Sequence, residues 1–97
     1  MQGSPGTQLV TADAAIGVSG KPVRVFSAAV LSGGGGAGIV IFRNGTSATS
    51  TIYAQIDGTT SKGTQAEWLG GILFPAGCFC DIDANVTSVA VNFTTEV

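Results

Sequence analysis

The run Trp68-Leu69-Gly70-Gly71-Ile72-Leu73-Phe74, the break Pro75-Ala76-Gly77 and the run Cys78-Phe79-Cys80-Asp81-Ile82-Asp83 decide the fold class. The first run is apolar and rich in residues that suit a pleated, half-buried surface. In the second, Cys78, Cys80 and Ile82 fall on one face, and Phe79, Asp81 and Asp83 on the other. Ala84-Asn85 interrupts the alternation. Ser88 to Thr94 resumes it, with Val89, Val91 and Phe93 opposite Ala90, Asn92 and Thr94. A period of two with one apolar side means antiparallel sheet with one face in a core.

Upstream, Val23 to Ser32 is the first long strand, with Val23, Val25, Ser27, Ala29 and Leu31 on one face and Arg24, Phe26, Ala28, Val30 and Ser32 on the other. Both faces are largely apolar, so the strand is expected to be central or covered on both sides. Gly33 to Gly36 reads as a flexible loop, and Ala37 to Arg43 as the next strand. Asn44-Gly45 has the chemistry of a two-residue type I′ hairpin turn. Ile52 to Asp57 alternates again, Asp57-Gly58 marks a turn, and Thr59 to Gln65 reads as a loop. Residues 1–20 read as an extended arm in front of a β core spanning 21–97, closed off by Lys21-Pro22. Either the arm lies across a neighbouring subunit or it frays. In the first case Leu9, Val10 and Ile16 are its candidate subunit contacts. No amphipathic helix with caps is written anywhere. Roughly six to eight short strands with regular turn signals predict a single all-β domain, an antiparallel β-sandwich of jelly-roll type.

The composition points to assembly. Of 97 residues, 44% are hydrophobic and only 10% charged, with a net charge of −2, where soluble domains usually carry about 25% charged residues. Mean hydropathy is +0.43. A domain this small buries only about two-thirds of its unfolded surface, so some apolar surface is left to meet a partner. A Gly, Ser and Thr surface, polar without being charged, is the plainer alternative. Lys21, Arg24, Arg43 and Lys62 are scattered, which argues against nucleic acid. No apolar run approaches the roughly 20 residues of a membrane helix. Met1 to Gly6 lacks the basic start and apolar core of a signal peptide, so synthesis in the cytosol is expected.

Several patterns raise chemical possibilities. Gly33, Gly35 and Gly38 match the spacing of a dinucleotide-binding loop, but the loop works by presenting phosphate to a helix N-terminus, and a strand follows here. Cys78 and Cys80 lie on one strand face, poorly placed to bond each other, and read as buried free thiols rather than as half of a metal site. Asp81 and Asp83 share a strand face, as a Ca²⁺ site or an acid/base pair requires, although solvated carboxylates explain them as well. There is no histidine, so a histidine-based hydrolytic triad is excluded. Asn44, Asn85 and Asn92 each head an Asn-x-Thr sequon, read as turns and strand ends. Trp68 with Tyr53 suits either a sugar-stacking platform or a core tryptophan beside a rim tyrosine. No catalytic, cofactor-binding or metal-binding residue emerges, and a non-enzymatic protein is expected.

The register Val-Arg-Val-Phe-Ser-Ala-Ala-Val from Val23, the Gly-rich turn, and Gly38-Ile39-Val40-Ile41-Phe42-Arg43-Asn44-Gly45-Thr46 resemble small structural proteins of tailed bacteriophages, cyanophages included. Gly71 to Cys78 and Asp81 to Val89 are similar to the second half of that group, so the resemblance covers about three quarters of the chain. It implies a compact all-β virion protein made in the host cytoplasm. Its role would be that of a capsid decoration or cement subunit that caps the outer shell as a homotrimer, with the major capsid protein and copies of itself as partners. The group also includes tail and fibre proteins, which keeps a carbohydrate- or receptor-binding module as the alternative.

Overall fold

The computed structural model describes residues 2–96, with side chains from residue 6 onward. Eight strands follow one another: β1 (Gln2–Val10), β2 (Ala14–Ile16), β3 (Val23–Ser32), β4 (Ile39–Asn44), β5 (Thr51–Asp57), β6 (Gly63–Phe74), β7 (Cys78–Ile82) and β8 (Val86–Glu96). They form two antiparallel four-stranded sheets, sheet A in the order β1-β8-β3-β6 and sheet B in the order β2-β7-β4-β5. Pairs β1·β8, β2·β7, β3·β6 and β4·β5 are all hydrogen-bonded. The chain is thus a long ribbon of nested pairs rolled into a sandwich, the strand order of a jelly roll.

The period-two pattern explains what lies between the sheets. Val10, Val23, Val25, Ala28, Val30, Phe74, Val89 and Val91 of sheet A face Ile16, Val40, Phe42, Ile56, Cys78 and Cys80 of sheet B, and all are buried. Side chains of this type, interdigitated between two sheets about 10 Å apart, supply the main stabilisation of the fold. Trp68 closes the core from β6, its ring edge-on to Phe42 at a centroid distance of 6.0 Å.

Four sequence expectations are corrected. Residues 2–10 and 14–16 are strands of the sandwich, β1 paired with β8 and β2 with β7 of the same chain, so they belong to the β core. Of the loop expected at Gly33 to Gly36, the first residue is fixed: the Gly33 N–H donates to the Asn85 carbonyl and its own carbonyl accepts from Ser61 N–H. Asn44-Gly45 does not make a two-residue turn. The hairpin runs from Asn44 to its partner Thr51, because the Ser47 and Ser50 hydroxyls knit the intervening polar residues into a longer loop. Finally, β6 starts at Gly63, where the backbone pairs with Leu31, so part of the expected Thr59–Gln65 loop is strand.

Candidate interaction surface

The outer face of sheet A owes its composition to one bulge. Along β3, Val23 and Val25 point inward, and strict alternation would send Ser27, Ala29 and Leu31 after them. Phe26 is the extra residue: Val25 pairs with Phe93 and Ser27 with Asn92, leaving it unmatched against β8. Opposite β6 the irregularity is larger, since Val25 pairs with Ile72 and Ser27 with Glu67. A bulge inverts the phase of the strand beyond it. Ala28 and Val30 turn into the core, and Ala29 and Leu31 turn out to solvent.

Cross-strand pairing then assembles the face in rows. Leu9, Ala90 and Ala29 are successive partners across β1, β8 and β3, and Thr7, Asn92 and Ser27 form the adjacent row. The polar row is hydrogen-bonded within itself: the Thr7 hydroxyl donates to Asn92 Oδ1 and Asn92 Nδ2 donates to Ser27 Oγ, each at 2.7 Å. Leu9 and Leu31 are 67% and 46% exposed. The expected central position of β3 is therefore correct, but within the chain only its inner face is covered.

In the bulged segment of β6, Leu69 projects with its side chain fully exposed (106%). Gly70 and Gly71 carry it, with φ of +79° and +78°. At Gly71 a Cβ would stand 2.6 Å from Arg24 Cγ, so the position tolerates no side chain. Arg24 holds the bulge from the other side, donating from Nη1 to the Gly70 carbonyl (3.2 Å) and from Nε to Glu96 Oε1 (3.0 Å). Phe26, Ser27, Glu67, Trp68, Leu69 and Gly70 line an open depression of about 490 Å³. A second, of about 400 Å³, lies on the other side of Phe26 against Thr7, Asn92 and Thr94.

The candidate contact residues separate. Val10 and Ile16 are buried in this chain's own core, and Leu9 alone of the three is exposed. All three lie in short apolar patches, and local composition does not tell whether this chain's own sheets or a neighbour's will claim them.

The suspected chemical groups are all occupied by the fold. Asp81 lies on the outer face of sheet B and is paired with Arg43, whose Nε and Nη2 both stand 3.0 Å from its Oδ2. Asp83 accepts from the backbone N–H groups of Ile39 (3.1 Å) and Asn85 (2.9 Å). Among the described residues no three Cys, Asp or Glu side chains gather where they could share a metal ion. Cys78 and Cys80 are buried free thiols. Burial pushes the Cys80 thiol up to about 12, with the charges of Asp13 and Asp81 adding to it. Burial also pushes Cys78 up, helped by Cys80. Both are inert as nucleophiles at neutral pH. Trp68 and Tyr53 make no shared platform: Trp68 packs on Phe42, and Tyr53 lies 5.4 Å from Phe74. Asn44 is likewise engaged, accepting from Ala76 N–H and donating to the Tyr53 hydroxyl.

No family model and no curated protein matches this chain. Among solved structures it is similar to a chain from Bacillus endospore appendages, described as a novel family of disulfide-linked pili. The match has a TM-score of 0.51 at 12% identity and covers 98% of this chain and 88% of that one. At that identity the likeness concerns the fold, and it agrees with the β-sandwich built above.

Proposed function

We propose that this chain is a structural subunit of a phage virion, a decoration or cement protein that binds the outside of the capsid shell as an oligomer and stabilises it. The observation that carries the reading is the outer face of sheet A. It is broad, poor in charge and set with exposed leucines, and its polar row is hydrogen-bonded within itself. Such a face loses little on leaving water and gains from burial of Leu9, Leu31 and Leu69. The strand order supports it by analogy, since jelly rolls recur in capsid proteins, although they recur in lectins too. The sequence resemblance to small phage structural proteins points the same way. A subunit that binds only the assembled shell shifts the equilibrium toward the assembled state by mass action. The partners are then the major capsid protein and further copies of this chain. The test is binding of purified protein to undecorated capsids. Stoichiometric occupancy and a raised disruption temperature are expected, and no retention on particles would overturn the reading.

A second reading, a subunit of a fibre or pilus-like appendage, draws on the fold likeness to the Bacillus appendage chain. The cysteines argue against a disulfide-linked version, because both thiols lie in the core, where a neighbour's sulfur cannot reach them unless the sandwich opens. Non-reducing electrophoresis of assembled material tests the disulfide-linked version: cross-linked ladders would support it, and monomer bands would overturn it.

A further inference from the structure

We infer that the outer face of sheet A is a self-complementary contact on which a second copy of this chain stacks. In it, Leu69 of each copy seats in the depression beside Phe26 of the other. The inference deepens the proposed function and rests on it only in supposing that the chain works as an assembly subunit.

Size selects the face. Four strands of nine to twelve residues cover roughly 600–700 Å² at a strand spacing of ~4.8 Å and a rise of ~3.4 Å per residue. With the projecting rim at Leu69 and Leu73 this approaches the ~800 Å² per partner of a specific interface. The strands of sheet B run from three to seven residues, cover about half as much, and carry Asp57, Asp81 and Arg43 outward. Charge selects it again. Of the charged side chains on the sheet A face, Arg24 and Glu96 already neutralise each other at 3.0 Å, and Glu67, on edge strand β6 beside the depression, accepts from Gln65. Within the Thr7–Asn92–Ser27 row two side-chain hydrogen bonds are already made, which leaves fewer polar groups to be buried unpaired in a dry contact.

Shape selects the occupant. The most exposed apolar side chain among the described residues, Leu69, stands on the rim of the depression it would fill in a partner. When knob and hole are neighbours on one surface, a two-fold axis beside them closes both contacts at once, giving an isologous dimer. Between them the centre of the face is built from small residues, Ser27, Ala29, Ser88 and Ala90, which allow close approach. The closed unit holds two copies, where the phage resemblance implies three.

The test is sedimentation of the full-length chain over a concentration series, beside Leu69→Asp, Ala29→Arg and, as a control on sheet B, Gln55→Arg. A dimer is expected for the parent and the control, with association weakened at least about tenfold in each face variant, as for loss of a central contact residue. Circular dichroism checks the folds, and Leu69→Asp, on a fully exposed side chain, keeps the test valid if Ala29→Arg does not fold. A monomer at every concentration, a trimer, or a dimer indifferent to Leu69→Asp would overturn the inference, as would a face occupied only by capsid protein. A dimer that ignores capsids leaves the face intact and defeats the shell reading, whereas a monomer that binds capsids does the reverse.

Discussion

The two core thiols give the sharpest test of the packing, because they tie the stability of the sandwich to alkaline pH. In the unfolded chain each ionises near its ordinary value of 9.0, while in the fold Cys80 is held up to about 12 and Cys78 is shifted in the same direction. Above pH 9 the unfolded state has lost protons that the folded state retains, so stability falls as pH rises toward 12; below pH 9 both states are protonated and the contribution is constant. Each thiol costs about 1.4 kcal/mol per pH unit in that window. At pH 10.5 the pair together removes about 4 kcal/mol, a large share of the 5–15 kcal/mol that holds a small domain. Urea unfolding followed by Trp68 fluorescence, at pH 7 and pH 10.5 with a phosphine reductant, compares the parent with Cys78→Ala/Cys80→Ala. The parent should lose about 4 kcal/mol more than the variant between the two pH values. Equal losses would show that the thiols are not held protonated by the core, and the reasoning fails. Should the double variant not fold, Cys80→Ala alone should remove about half the difference.

Other perturbations probe separate parts of the structure. Deleting residues 1–16 removes β1 and β2 together with buried Val10 and Ile16, so the remainder should lose its cooperative melting transition; a truncated chain that still melts cooperatively contradicts the pairing of β1 with β8. Phe42→Ala should cost about 3–5 kcal/mol in chemical denaturation, as for a large core aromatic, and should also shift Trp68 emission, since the two rings touch. Gly77 has φ of +99° and its Cβ would stand 2.9 Å from the Gly20 nitrogen; Gly77→Ala should therefore cost about 2–3 kcal/mol, and a neutral melting temperature would count against that turn. Asp81→Asn, which uncouples Arg43, should cost about 1 kcal/mol, and Ca²⁺ should not raise the parent's melting temperature, because both carboxylates of the Asp81/Asp83 pair are already engaged.

Where burial alternates without interruption, the sequence was a sufficient guide. The extent of Val23 to Ser32 is legible although the facing of its second half is not, and the inward set Cys78, Cys80 and Ile82 follows from period two alone. The reading failed at long-range events that leave no local trace. The bulge at Phe26 depends on partners 46 and 67 positions away in Ile72 and Phe93, and nothing in Val-Arg-Val-Phe-Ser marks it. Yet it decides that Ala29 and Leu31 face outward. The early residues are hard to read for a related reason: Gly6-Thr7-Gln8-Leu9 looks weak as an isolated strand, but β8 supplies a ready ladder, and Gln8 adds side-chain bonds to Ala15 and Gly17. Asp81 lies on the outer face that period two predicts, while the Arg43 that occupies it lies 38 residues away and Asp83 falls beyond the end of β7.

The nested pairing also imposes an order on the birth of the fold. The β4–β5 hairpin closes over a handful of residues, whereas Thr7 meets Asn92 across a separation of 85. Chain entropy alone makes the outermost closure about 2 kcal/mol dearer than the innermost. The ribbon should zip from its middle, and β8 should wait, edge bare, for the strand that completes it. During that interval a β1 from a sister molecule fits the vacancy as well as the chain's own, so crowded synthesis invites exchange of strands. Pulsed hydrogen exchange should find the amides of β4 and β5 protected first and those of β1 last.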